Sequence, residues 1–141
     1  MIGSSGLNRA FSQPENSVLN HACVLVAEDE PFIALDLALA IEDAGGQVVG
    51  PAASVKEALA LLETADVVGA ILDVTLADKD VTPIAEMLIA HGIPLILQTG
   101  VGLPPDMAAR FPGLTVRIKP CGSAELVEQL AALISDQREV A

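Results

Sequence analysis

Five side chains that could act on a phosphoryl group each stand just after a short apolar run of the sequence. They are Glu28, Asp29, Asp73, Thr99 and Lys119. If those runs are parallel strands, the five residues meet at the carboxyl edge of one sheet, where open α/β sheets bind ligands. Taken one at a time, each residue also fits an ordinary structural role: an acid in the first turn of a helix, a turn residue, a helix N-cap or a solvated residue at a strand end. Their joint placement favours a site.

The carboxylates of this predicted site imply a cation. Three carboxylates at one edge repel one another, which raises their proton affinity unless a cation neutralises them. The all-oxygen set favours Mg²⁺ over Zn²⁺, because no histidine or thiol stands among these residues. Mg²⁺ beside a free carboxylate, a hydroxyl and an ammonium suits phosphoryl transfer, with the carboxylate attacking in line. The protein would then supply geometry and charge rather than proton transfer.

The elements that would position these residues alternate along the chain. Short apolar runs predict strands at 23–27, 47–50, 67–72, 94–98 and 114–118. Helical spacing predicts helices from 31 to the glycines at 45 and 46, then at about 54–65, 83–91 and 123–137, with a short helix within 103–111. Parallel neighbours need crossovers, and right-handed crossovers place helices on both faces of a sheet. We therefore predict a three-layer, doubly wound α/β domain with five parallel strands.

Length and charge exclude several classes of protein. The chain has 141 residues, with 19 acidic and 7 basic side chains and a formal net charge of -12. We divide it into a flexible leader, 1–21, and one domain, 22–141, whose core the 52% of hydrophobic residues can fill. Such an acidic chain is a poor ligand for nucleic acid or anionic lipid, so we expect neither partner. With no signal sequence or membrane span, and two cysteines interpreted as reduced thiols, we expect it in the cytoplasm.

Four segments resemble the receiver domain of two-component response regulators, and the resemblance extends over residues 22–137. They are Val24 to Pro31, Ala70 to Val74, Gln98 to Gly100 and Ile118 to Pro120. The resemblance implies a flavodoxin-like sheet with strand order 2-1-3-4-5 and a short fourth helix. It implies that Asp73 accepts a phosphoryl group, which Thr99 and Lys119 contact. The implied Mg²⁺ ligands are Glu28, Asp29, Asp73 and the backbone carbonyl of Thr75.

The segment 97–102 is similar to the Phe-Ala-Thr-Gly-hydrophobic-Tyr motif of the atypical receivers called FAT GUY. The residues that match the motif are Thr99, Gly100 and Val101. Those that differ, in place of two aromatics and an alanine, are Leu97, Gln98 and Gly102. Receivers also commonly carry Tyr or Phe three residues before the lysine, where this chain has Val116. We therefore expect activation to move other groups, with the loop 100–105 as the candidate.

These features predict a single-domain response regulator that takes a phosphoryl group on Asp73 from a histidine kinase or histidine phosphotransferase. We expect no output domain after the last predicted helix. The expected role is a relay shuttle, a phosphate sink or an allosteric binder of a protein effector, and not an enzyme acting on an external substrate. A receiver-like module that binds partners without phosphorylation is the alternative. A phosphatase or mutase is disfavoured, since Thr75 stands where a second carboxylate is needed.

The sequence shows three further surface features, and the first two have more than one interpretation. Apolar residues beside the main stripe of the first helix, Phe32, Leu35 and Leu39, predict extra core, with a docking patch for a kinase or phosphotransferase as the alternative. On the last helix, Val127 and Ile134 beside the leucine stripe allow a dimer or target surface, so the oligomeric state stays open. Asp78 and Asp80 are interpreted as a solvated acidic loop.

Overall fold

A five-stranded parallel sheet forms the centre of the molecule, and the computed structural model describes residues 17–140. The strands are β1 Cys23–Ala27, β2 Gln47–Ala52, β3 Gly69–Asp73, β4 Leu95–Thr99 and β5 Thr115–Ile118. They lie in the order β2-β1-β3-β4-β5, and every neighbouring pair is parallel. This confirms the predicted doubly wound sheet with order 2-1-3-4-5.

Five helices cross over between or follow these strands. They are α1 Pro31–Asp43, α2 Val55–Thr64, α3 Thr82–Ala90, α4 Pro105–Arg110 and α5 Ser123–Val140. The fourth is short, as predicted, because Pro104 and Pro105 delay its start. Within residues 17–140, no helix is both long and apolar enough to cross a bilayer.

The sheet separates two apolar clusters, which the alternation of side chains along β1 shows directly. Leu25 packs with residues of α2 and α3 on one face, whereas Val24 and Val26 pack with α1 and α5 on the other. Both faces of the central strands are buried, as parallel strands between two helical layers require. The carboxyl edge of the sheet is thereby left as the place where polar side chains can gather.

Strand β2 is longer than predicted. The sequence pattern predicts its end at Gly50. The strand continues to Ala52, which pairs with Ala27 after a register shift. A proline is tolerated there because β2 lies at the edge of the sheet, where a missing N–H group breaks no ladder.

The predicted leader, 1–21, is described only from residue 17 onwards, and residues 1–16 lie outside the described part of the chain. The described end folds onto the domain: Leu19 is 2% exposed and packs in the cluster under α1. Its N–H group donates to Ala44 O at 3.0 Å, and His21 N–H donates to Gly45 O at 2.8 Å. The folded unit of the described chain therefore begins before residue 22.

The surface of α1 is more apolar than a single buried face requires. Phe32 is 81% exposed, Leu35 55% and Leu39 52%, so the interpretation of these residues as extra core is wrong. On α5 the interpretation of Val127 and Ile134 as a dimer or target surface is also wrong, because they are 2% and 5% exposed and belong to the core. They cannot form a dimer surface. In this layer α1 packs against β1 and β2, and α5 packs against β3 and β4.

The acidic loop after β3 has a structural task. Asp78 accepts hydrogen bonds from the Val55 N–H at 2.8 Å and the Lys56 N–H at 3.2 Å, the first turn of α2. Ser54, the N-cap, accepts from Glu57 N–H at 3.0 Å, so α2 is capped twice. Asp80 Oδ1 accepts from the Thr82 N–H at the start of α3. The prediction of a solvated loop is right about exposure but omits these contacts.

We predict that Asp78→Ala lowers the thermal unfolding midpoint at neutral pH by a few degrees, because two amides of α2 lose their acceptor. Hydrogen bonds from the Val55 and Lys56 amides lower the pKa of Asp78. Its stabilisation is therefore present above the pKa of an unfolded aspartate and is lost as the pH falls through the folded value. Circular dichroism melts of both chains should converge in acid, and Asp66→Ala, at an exposed aspartate, is the control. A constant difference between the melts at all pH values would contradict this.

Candidate functional site

Three strand ends place a compact polar cluster at the carboxyl edge of the sheet. Glu28 follows β1, Asp73 ends β3 and Lys119 follows β5. The side chain of Glu28 is fully buried, and those of Asp73 and Lys119 are 14% and 22% exposed. The residues are separated by up to 91 positions along the chain and come together because the parallel sheet brings the carboxyl ends of β1, β3 and β5 to one edge.

The ammonium group of Lys119 bridges the two carboxylates. Its Nζ donates to Glu28 Oε1 at 3.1 Å and to Asp73 Oδ2 at 3.0 Å. The backbone holds the same lysine, since its N–H donates to Thr99 O at 2.8 Å. Because one positive charge is shared between two carboxylates, the cluster retains net negative charge even with the lysine in place.

The pKa values of the cluster shift for identifiable reasons. Burial raises the pKa of Glu28, and the hydrogen bonds from Glu30 N–H and Lys119 offset this only in part. Burial alone would lower the pKa of Lys119, but its hydrogen bonds to Asp73 and Glu28, with their charges, raise it above its usual value. The lysine is therefore charged at neutral pH. Burial still disfavours the ionised form of Glu28, and a further cation would stabilise that form.

A divalent ion fits the same edge. Glu28, Asp29 and Asp73 each offer a carboxylate oxygen, and these oxygens lie within 4.8 Å of one another. Glu28 is buried, Asp73 intermediate and Asp29 exposed, so the cluster is open to solvent on one side. An open, all-oxygen set of this kind suits Mg²⁺, which retains several waters in protein sites. These residues include all three side chains that the sequence predicts as magnesium ligands.

The other two predicted residues are placed differently. Thr99 is buried, but its hydroxyl donates to Gly102 O at 2.9 Å and accepts from Val101 N–H at 3.2 Å. The hydroxyl therefore holds the loop after β4 and contacts no side chain of the cluster. Thr75 lies two residues beyond Asp73, is exposed, and forms a single bridge to Asp80 across the loop after β3.

Gln98 is a further member of the site that the sequence pattern does not reveal. Sequence comparison with the motif shows it only as a departure from alanine. In the structure it is 2% exposed, and its Nε2 donates to Glu28 Oε1 at 3.3 Å. The one signal in the sequence is a large amide in a strand that is otherwise apolar, 94–97.

Solved structures resemble this fold closely. A CheY-like response regulator receiver domain protein from Methanospirillum hungatei matches with a TM-score of 0.75 and 22% identity, over 85% of this chain and 98% of that one. SdrG from Sphingomonas melonis is 33% identical, with a TM-score of 0.67, over 81% of this chain and 96% of that one. The response regulator PhyR from Brucella abortus is 25% identical, with a TM-score of 0.67, over 96% of this chain.

The chain therefore has the fold of the CheY-like response regulator receiver domains that it resembles. At 33% identity over nearly all of SdrG, the chain belongs to the same family as that protein. It spans 58% of the length of the PhyR chain that it resembles. No protein-family model and no curated protein sequence matches it.

We predict that Lys119→Met destabilises the metal-free chain by about 2–3 kcal/mol at pH 7. Removing one partner of a fully buried ion pair costs roughly 3–5 kcal/mol, and the partial exposure of Lys119 reduces that figure. The loss should shrink in acid, because protonation of Glu28 removes the fully buried negative charge that the variant leaves without its ammonium partner. On the alkaline side, the pair raises the pKa of Lys119, so the stabilisation persists at neutral pH and is lost as the pH rises through that pKa.

Urea denaturation in EDTA at several pH values measures this difference. Lys79→Met, at an exposed lysine on the loop after β3, is the matched control and should leave the midpoint unchanged. Equal stabilities of Lys119→Met and wild type at pH 7 would mean that the observed bridge contributes nothing.

Proposed function

We propose that this protein is a single-domain response regulator that accepts a phosphoryl group on Asp73 from a histidine kinase or histidine phosphotransferase. The observation that carries the proposal is the bridge from Lys119 to Glu28 and Asp73, because it places a firmly charged ammonium directly on the candidate phosphoacceptor. The proposed output is a contact with another protein, in a cytoplasmic setting, as a shuttle, a sink or an allosteric regulator.

The transfer itself needs little chemistry from the protein. A carboxylate oxygen of Asp73 attacks phosphorus, a P–O bond forms, and the P–N bond to the imidazole of the donor breaks, with the electron pair leaving on that nitrogen. Mg²⁺, when held by Glu28, Asp29 and Asp73, supplies positive charge against the phosphoryl oxygens. Lys119, at the carboxyl end of β5, neutralises a further part of that charge. The domain turns over no external substrate, so we do not propose an enzyme.

The resting contacts of Thr99 suggest how phosphorylation is transmitted. Its hydroxyl holds Gly102 O and Val101 N–H, and so fixes the loop after β4. A hydroxyl that turns toward a phosphoryl group on Asp73 must give up the Gly102 carbonyl, and the loop is then released. Val101 at the tip of this loop is 97% exposed. With Val116 in place of a switching aromatic, this loop is the proposed moving part, consistent with a FAT GUY receiver.

We predict that incubation with acetyl phosphate and Mg²⁺ adds one phosphoryl mass to the intact protein. The adduct should be labile to hydroxylamine, as an acyl phosphate is, and Asp73→Asn should abolish it. Intact-mass spectrometry measures both. Asp80→Asn, which leaves the cluster at the sheet edge unaltered, is the control and should still be labelled. An unchanged mass with every donor would support a module that binds partners without phosphorylation.

The exposed apolar residues of α1 offer a contact for the phosphoryl donor. Phe32, Leu35 and Leu39 lie on a helix whose start borders a groove of about 650 Å³. The groove runs between α1 and the connection from β5 to α5, and Lys119 and Gln98 line it. A donor seated on α1 would thus be next to the phosphorylation site. We propose this face as the docking surface for a kinase or phosphotransferase.

We predict that Phe32→Ala slows phosphotransfer from a phosphohistidine protein about tenfold, which corresponds to the loss of about 1.4 kcal/mol of contact energy. Labelling by acetyl phosphate should be unchanged, because the small donor needs no docking surface. Rates are followed by phosphorylated-protein gels with radiolabelled donor. Met87→Ala, at an exposed apolar residue of α3, is the matched control. Equal slowing with both donors would locate the defect in the site and not in docking.

A further inference from the structure

Gln98 is a polar residue with a buried side chain. It is 2% exposed and pairs in register with Asp73 across β3 and β4. Ile96, two residues earlier on the same face of β4, belongs to the apolar cluster between α1 and α5. Burying an amide among such side chains is costly unless it is hydrogen-bonded. The hydrogen bond from Gln98 to Glu28 offsets this cost.

The amide of Gln98 is one of three donors on the Glu28 carboxylate. Oε1 accepts from Gln98 Nε2 at 3.3 Å and from Lys119 Nζ at 3.1 Å. Oε2 accepts from Glu30 N–H at 3.1 Å. Two of the donors are neutral and one carries a charge. The neutral donors fix the carboxylate without repelling a second cation, whereas Lys119 both holds it and opposes a nearby cation.

The side chain of Glu28 also needs more restraint than a shorter acid would. Glutamate has one more rotatable bond than aspartate, so its carboxylate loses more conformational freedom when it is fixed in one place. Lys119 cannot supply that restraint throughout, because the proposed function moves the lysine onto a phosphoryl group. Gln98 and the Glu30 amide are then the donors that remain among the three.

We propose that Gln98 is a positioning residue that holds the Glu28 carboxylate in place for Mg²⁺ by donating to Oε1. This inference rests on the proposed function, since it concerns the metal that the transfer uses. Gln98 acts through Glu28 and is not itself a ligand. Partners that orient a metal-binding side chain typically contribute about 10-fold to 100-fold in metal affinity. The contribution of Gln98 lies in that range and depends on the carboxylate of Glu28.

The test compares Mg²⁺ affinities of the full chain by calorimetric titration. Gln98→Met keeps the length of the side chain but cannot donate, and should weaken Mg²⁺ binding at least about tenfold. Ile96→Met, on the same strand and the same buried face, is the matched control and should stay within about twofold. In a Glu28→Gln background, Gln98→Met should change the affinity by less than about twofold, because there is no carboxylate left to position.

A second readout separates positioning from a general packing defect. The rate of labelling by acetyl phosphate should need a higher Mg²⁺ concentration for half-saturation in Gln98→Met, while the rate at saturating Mg²⁺ stays near that of wild type. If Gln98→Met fails to fold, Gln98→Asn repeats the test with an amide one carbon too short to keep the contact. Its loss of affinity should equal that expected for methionine.

The outcomes distinguish this inference from the proposed function. A Gln98→Met chain that binds Mg²⁺ as tightly as wild type overturns the inference, and so does an equal effect in the Glu28→Gln background. A wild-type chain that binds Mg²⁺ but is never labelled overturns the proposed function, while the affinities still decide the role of Gln98. A wild-type chain that binds no Mg²⁺ overturns both.

Discussion

One ammonium group between two carboxylates is the contact on which the site depends. Lys119 reaches Glu28 and Asp73 at 3.1 and 3.0 Å, and none of the three is well exposed. Lys119 does not fully neutralise the cluster, because two negative charges share one positive charge. Burial also raises the pKa of Glu28. The resting site is therefore ready to accept a further cation.

The fold explains how this contact can be both precise and movable. Glu28 and Asp73 end or follow the two central strands, whose residues pair directly, so their backbones are fixed by the buried layers on both sides. Lys119 follows β5 at the edge of the sheet, and its long side chain reaches inward to the cluster. The rigid members thus lie at the centre, and the member proposed to move lies at the edge. Thr99 ties this edge to the loop after β4 through Gly102.

The sequence predicts the architecture well because its signals are local. Apolar runs of about five residues, four of them ended by a charged or polar residue, are enough to predict five strands and the edge where Glu28, Asp73 and Lys119 meet. The sequence predicts the exposure of a side chain less well where that exposure depends on packing between layers. Periodicity cannot show that Phe32 is exposed while Val127 is buried, since both lie beside the main apolar stripe of their helix. Strand β2 runs through Pro51 to Ala52, beyond its predicted end at Gly50, and its edge position explains why the proline is tolerated.

Contacts across long stretches of sequence were beyond prediction for the same reason. Gln98 and Glu28 are 70 positions apart, and Asp78 caps a helix that begins 23 positions before it. No spacing or motif links either pair. Both are short polar contacts that exist only once the sheet and its connections are assembled, and both support elements around the site: Gln98 holds the buried acid, and Asp78 ties the loop after β3 to α2.

The most direct measurement is a crystal structure of the protein with Mg²⁺ and beryllofluoride, which mimics the phosphoryl group on an aspartate. We expect beryllofluoride on Asp73, the ammonium of Lys119 moved from Glu28 onto a fluorine atom, and the hydroxyl of Thr99 turned away from Gly102. Glu28 should keep its contact with Gln98. A structure in which Lys119 still bridges Glu28 and an unmodified Asp73 at saturating beryllofluoride and Mg²⁺ would contradict the account.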